Sequence, residues 1–169
     1  NYWHKKTQSK RQTYLMLQIT IQQIKDKRLK RFTSILKKKV IEKIINTTLS
    51  EANSNGVSGD CNLTIRFTNS HEGKALNMRY RNKKKATNVL TFSYEKWPDV
   101  IADIVICLPV IYRECKKSNI GRREHLAHML VHGTLHAIGY DHENAREATI
   151  MEKHEEKILE LLRIDLPSA

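Results

Sequence analysis

The sequence predicts an α+β fold of layered α/β type: a small, mostly four-stranded mixed sheet surrounded by about five helices. Three observations predict it. Short runs of alternating or compact apolar residues recur at strand length. Longer segments with apolar residues every three or four positions lie between and after them. The chain has 169 residues, 40% of them hydrophobic, which is enough for one core and would leave two domains small. The expected organisation is a flexible basic arm over residues 1–12 and a single domain over residues 13–169.

The elements follow in order. In "YLMLQITIQ" (14–22), Leu15, Leu17, Ile19 and Ile21 face one way, and Gln18, Thr20 and Gln22 the other, as in a half-buried strand. Over 29–49 the period changes. Leu29, Phe32, Leu36, Val40 and Ile44 recur at helical spacing, with Ile35, Ile41 and Ile45 broadening the stripe and lysines opposite. That predicts one amphipathic helix packed on the sheet. "NSNGVSGD" (53–60) is a loop by composition. "CNLTIRFTN" alternates through Leu63, Ile65 and Phe67 as a second strand, and residues 71–80 make a short helix or turn. "NVLTFSY" (88–94) and "ADIVICL" (102–108) are the third and fourth strands. Pro109 sits where it can open a helix over 110–117. Residues 122–138 form a helix, and 146–162 a last one, with Ile150, Met151, His154, Ile158 and Leu161 on the inner side.

Composition narrows the function. No apolar stretch is long enough for a membrane helix, and the charged start has no apolar run of signal-peptide type behind it. Cys61, Cys107 and Cys115 show no paired or CxxC spacing. That suits a reducing compartment, and the expected location is the cytoplasm. The net charge is +12, from 30 Lys and Arg against 18 Asp and Glu. The excess recurs along the chain, as in "KDKRLKR", "RYRNKKK" and the basic pairs near 116–123. Such a distribution fits a polyanion, and nucleic acid is the expected partner. No helix pairs a basic face with exposed Trp or Phe, so no membrane association is expected.

The chemistry concentrates in "HGTLHAIGYDH" (132–142). His132 and His136, four apart on a helix, project from one face a turn apart. Gly139 can take the left-handed backbone angle that ends a helix, letting the chain bring His142 back towards the pair. Three imidazoles with an open fourth position describe a catalytic zinc site better than a closed structural one. One Zn2+ per chain is the expected cofactor, and nickel, iron or copper also suit imidazole ligands. The zinc peptidase pattern His-Glu-x-x-His has its general base after the first histidine, where this chain has Gly133. Peptide hydrolysis by that route is therefore disfavoured. Asp141 and Glu143 flank His142, and Asp141 is a candidate either for contacting water or orienting a ligand, or for holding the turn. His125 and His128 are read as structural.

A phosphodiester substrate needs a cation near phosphorus. Arg81, in the basic loop "RYRNKKKATNVL", is the candidate, because its planar fork can hold two phosphate oxygens. Arg79 is the alternative, and Lys83 to Lys85 can guide RNA in. Thr87 and Asn88 are placed to brace the turn into the third strand.

The stretch "HGTLHAIGYDH" resembles the signature of the YbeY family, bacterial rRNA maturation factors and metal-dependent endoribonucleases. "LNMRYRNKKKATNVLTF", "ADIVIC" and "MEKHEEKIL" resemble further blocks of that family, in the same order, so the resemblance spans roughly residues 14–162. It implies zinc ligands at His132, His136 and His142 and a functional arginine at Arg81. It also implies single-strand-specific RNA cleavage in 16S rRNA 3′-end maturation and late 30S quality control, with the 30S subunit, ribosomal proteins and assembly factors as partners. The chain departs from the family pattern at Lys84 (usually an acid), Ala86 (usually Pro), Asn88 (commonly Asp) and Ala102 (usually Gly), which makes the Arg81 segment more basic and less rigid. Either water or the ribose 2′-hydroxyl is the attacking group. The alternative is a non-catalytic, zinc-stabilised rRNA-binding assembly factor.

Overall fold

In a computed structural model, residues 16–52, 59–96 and 98–164 are described. The predicted arm (1–12), the first residues of the first strand, including Leu15, most of the 53–60 loop, and the end of the chain beyond 164 lie outside the described residues. The order is β1 (Leu17–Gln22), α1 (Lys27–Thr33), α2 (Lys38–Ala52), β2 (Cys61–Thr68), α3 (Ser70–Arg81), β3 (Val89–Glu95), β4 (Val100–Cys107), α4 (Leu108–Ser118), α5 (Arg122–Ala137) and α6 (Ala145–Leu161). This is the predicted α+β architecture, a four-stranded mixed sheet with helices packed around it.

The sheet order is β1-β2-β4-β3. β1, β2 and β4 run parallel, with Leu63 of β2 beside Ile19 of β1 and Ala102 of β4. β3 closes one edge antiparallel to β4, with Thr91 opposite Ile104. The period of two sets the faces. Cys61, Leu63, Ile65 and Phe67 of β2 are buried and Arg66 is exposed, while Gln18, Thr20 and Gln22 of β1 face solvent. α5 is the central helix, packing on β3, β4, α2, α4 and α6. Its Leu126, Leu130 and Leu135 meet Ile65, Ile104 and Ile106 from the sheet, Ile41, Ile44 and Ile45 from α2, and Met151 and Ile158 from α6.

The predicted single helix over 29–49 is two helices. The Thr33 and Ser34 hydroxyls donate to the carbonyls of Lys30 and Arg31, three residues back, at 2.8 Å each. Such bonds compete for the carbonyls that would continue a helix. The chain breaks at 34–37 and restarts at Lys38, so the described residues hold six helices, one more than the sequence predicted. The fourth strand begins at Val100, and Leu108 already belongs to α4, with Pro109 in its first turn, where a missing N–H costs nothing.

The last helix is also turned relative to its predicted face. Met151, Glu155, Ile158 and Leu159 are buried, whereas Ile150 and Leu161 are exposed. A carboxylate thus occupies the middle of the inner face of α6, and the metal centre explains why.

Candidate metal centre

α5 presents His132 and His136 from consecutive turns, with their Nε2 atoms 3.1 Å apart. The helix ends at Ala137, and Gly139 follows at φ 105°, where a side chain would be strained although the space is open. The Gly139 N–H donates to the His136 carbonyl and the Tyr140 N–H to that of Leu135. This reversal carries His142 back, so that one ring nitrogen from each of His132, His136 and His142 lies within 4.8 Å of the others. Ring centroids are 4.7 Å (His132–His136), 4.9 Å (His136–His142) and 5.6 Å (His132–His142) apart.

The donor set fits a metal ion. Two Nε2 atoms at 3.1 Å cannot both carry protons. A tetrahedral ion with bonds of about 2.0–2.1 Å sets ligand nitrogens roughly 3.3–3.4 Å apart, close to this spacing. Burial, with the like-charged His132 and His142 adding to it, lowers the pKa of His136 to about 4. Its lone pair is therefore free at neutral pH, as a ligand requires.

Two supports hold the ligands. Glu155 of α6 accepts from both sides of the site, with Oε1 2.5 Å from His132 Nδ1 and Oε2 2.9 Å from His128 Nε2. Burial resists the carboxylate's ionisation, but the hydrogen bonds from His128 and His132 outweigh it and hold the pKa at about 2. A proton on His132 Nδ1 leaves Nε2 bare and aimed at the site. The reversal is held separately. The Tyr140 hydroxyl donates to the carbonyl of Ala52, the last residue of α2, at 2.7 Å, and its ring packs at 4.8 Å on His154. Asp141 Oδ1 accepts from the His142 N–H at 2.8 Å and so fixes the turn that carries the third imidazole.

The histidines open into a cleft of about 510 Å³ whose other walls include Arg81, Thr87, Asn88, Thr91, Ser93 and Lys96. Arg81 is not in a loop, as predicted, but is the last residue of α3. Asn69 caps the start of that helix, accepting from Glu72, and Asn82 ends it at φ 53°. Buried Asn77 donates to the Lys85 carbonyl at 2.6 Å, clamping the basic segment after Arg81. Asn88 accepts from the Val89 N–H at 2.7 Å and reaches both Glu114 oxygens of α4 at 3.3 Å. Glu114 in turn lies 2.6 Å from His125 Nε2, which places His125 in the packing behind the cleft.

Gly133, where a peptidase would have its base, faces the sheet. A Cβ there would lie 2.6 Å from Ile104 Cγ2 and 3.3 Å from Val89 Cγ2. The glycine lets α5 settle on β3 and β4, where the Thr91 hydroxyl donates to the Gly133 carbonyl at 3.2 Å. Glu155 is the site residue the sequence reading missed. It is 23 positions from His132, and only its burial on an otherwise apolar helix face marks it out.

Comparison with known proteins places these features in a family. The family model described as Endoribonuclease YbeY matches residues 18–163. A protein of Paracidovorax citrulli named Endoribonuclease YbeY is 49% identical over 114 residues, covering 67% of this chain and 75% of that one. A protein of the same name from Albidiferax ferrireducens is 46% identical over 111 residues, covering 66% and 75%. The solution structure of TM1509 from Thermotoga maritima shares the fold, with a TM-score of 0.50 and 23% identity over 88% of this chain and 92% of that one. The chain belongs to the YbeY endoribonuclease family.

Proposed function

We propose that this protein is a zinc-dependent endoribonuclease that cuts single-stranded RNA, acting in 16S rRNA 3′-end maturation and in late 30S quality control in the cytoplasm. The observation that carries the proposal is the convergence of three imidazoles in an open cleft that Arg81 also lines. The matched relatives are named endoribonucleases. The net charge of +12 suits an RNA partner, with the 30S subunit, its proteins and assembly factors as the setting.

His132, His136 and His142 would hold the ion, which when bound supplies Lewis-acid polarisation of the reacting phosphate. The chain's own residues supply the rest. Arg81 clamps the phosphate with its planar fork and offsets the charge that builds on its oxygens. Glu155 keeps His132 in the tautomer and orientation that present Nε2. Asp141 acts by positioning His142 through the backbone. No carboxylate follows His132, because that position is packed on the sheet, so the site holds no zincin-type base. The attacking oxygen is that of water or the ribose 2′-hydroxyl.

The test compares the purified parent with His136→Ala and Arg81→Ala on single-stranded RNA. We expect both variants to remain folded and to bind RNA. His136→Ala should lose cleavage, and Arg81→Ala should cleave about 100-fold or more slowly, as for removal of one transition-state donor. Unchanged cleavage in His136→Ala would overturn the proposal. A folded, RNA-binding parent that cleaves nothing with zinc present would favour a non-catalytic assembly factor. A single 2′-deoxy nucleotide at the scissile position separates the two nucleophiles: cleavage persists if water attacks and stops if the 2′-hydroxyl does.

A further inference from the structure

Beside the cleft, on the opposite face of edge strand β3, lies an aromatic patch that the metal chemistry does not use. Tyr80 is 56% exposed and Tyr94 64%, high values for such large rings. Neither ring is loose. Tyr80 continues the inner stripe of α3 defined by buried Gly73 and Asn77 and meets Phe92 of β3 with ring centroids 4.8 Å apart. Tyr94 sits at an irregularity in the ladder. Ser93 pairs with Ala102 and Glu95 with Ile101, so Tyr94 is the extra, unpaired residue of a bulge. Its hydroxyl donates to Asp103 at 2.9 Å, which tethers the ring on the face that Phe92 occupies. Bulges beside functional sites commonly re-aim one side chain.

We propose that Tyr80, Phe92 and Tyr94 form a base-stacking platform that holds single-stranded RNA as it passes over the outer strand β3 into the metal cleft. This rests on the endoribonuclease reading above and adds the means by which single strands are selected. Charge names the occupant. The Arg79 guanidinium lies 5.4 Å from the Tyr80 ring centroid, and the exposed Lys83, Lys84 and Lys85 follow the same helix end. The platform and the cleft are one residue apart along the chain at two places. Tyr80 precedes cleft-lining Arg81, and Ser93, also in the cleft wall, lies between Phe92 and Tyr94. Cations beside fixed, exposed rings match a phosphate chain with unpaired bases. Bases in a duplex are already stacked on each other and have no free face to offer, so the platform discriminates by strandedness and tolerates any sequence.

The test measures fluorescence anisotropy of a labelled 2′-O-methyl oligouridylate, shown intact by gel, and of a duplex of equal length. The zinc-loaded full chain is compared with Tyr80→Ala, Tyr94→Ala and Tyr80→Phe. Each alanine variant should bind the single strand about fivefold to a hundredfold more weakly, the range for losing one stacked base. Duplex affinity should stay unchanged, and Tyr80→Phe should bind like the parent. Alanine variants that hold the single strand as tightly as the parent overturn the platform and leave the patch to a protein partner. Equal losses on single strand and duplex overturn it too, as does a parent that binds neither RNA. The two readings fail separately. A parent that cleaves natural RNA while Tyr80→Ala binds normally sinks the platform alone, and a parent that binds through Tyr80 without cleaving sinks the nuclease alone.

Discussion

Glu155 shows how much one side chain decides in this protein. A carboxylate on the inner face of α6 costs several kcal/mol to bury unpaired, by the general expense of desolvating an ion, and is tolerated only with partners. Here both oxygens are engaged, by His132 at 2.5 Å and His128 at 2.9 Å. Removing the carboxylate frees the His132 ring to rotate and to take the wrong tautomer. Glu155→Ala should therefore weaken zinc binding by about 10–100-fold, the usual range for losing such a support. Competition against a chromophoric chelator measures this, and an affinity equal to the parent's would mean that the bridge only joins the two helices. Sequence alone could read His132, His136 and His142 as a group, because a four-residue step and a helix-ending glycine are local features. It could not find Glu155, whose partner lies 23 residues away. The nearest signal was the helical stripe of α6, and with His154 and Glu155 adjacent the apolar residues alone did not select the right face.

At the scale of elements, the close seat of α5 on the sheet governs the site. Its histidines reach the cleft only if the helix lies near β3 and β4, and Gly133 provides that approach. An added methyl at this position would meet Ile104 Cγ2 at 2.6 Å, a branched group with little room to retreat. Gly133→Ala should lower stability by about 1–3 kcal/mol, the cost of overpacking a well-filled interior. Urea denaturation measures the change, and an unaltered midpoint would show that α5 lifts from the sheet at no cost. The sequence reading treated Gly133 as an absent base. The structure gives the position a positive role, and the base is missing because a side chain there would enter the core. The break between α1 and α2 has a comparable origin. Apolar period carried the predicted helix through residues 34–37, but the hydroxyls of Thr33 and Ser34 bond locally and end it.

Taken as a whole molecule, the core and the metal centre are separable. Ile41, Ile45, Ile65, Ile104, Leu130 and Ile158 are almost fully buried and belong to one apolar cluster distinct from the imidazoles. The Glu155 bridge and the packing of Met151 and Ile158 join α6 to the rest without an ion. Chelation should therefore leave the helical circular dichroism intact and lower only the melting temperature. Zinc at about 100 times its dissociation constant should restore roughly 2.7 kcal/mol. Unfolding on chelation would instead make the ion a structural staple, as the assembly-factor alternative requires. Spacing between near neighbours was enough to mark the fold class, the four strands, the helices other than the divided pair α1 and α2, and the histidine group, and composition was enough for the basic character. The sheet order with β3 antiparallel at the edge, Arg81 at a helix end lining the histidine cleft, and Glu155 bonded to His132 came only from the tertiary structure. Those depend on which distant segments pack together, and burial of apolar surface, which drives that packing, has no direction and leaves no periodic mark on the chain.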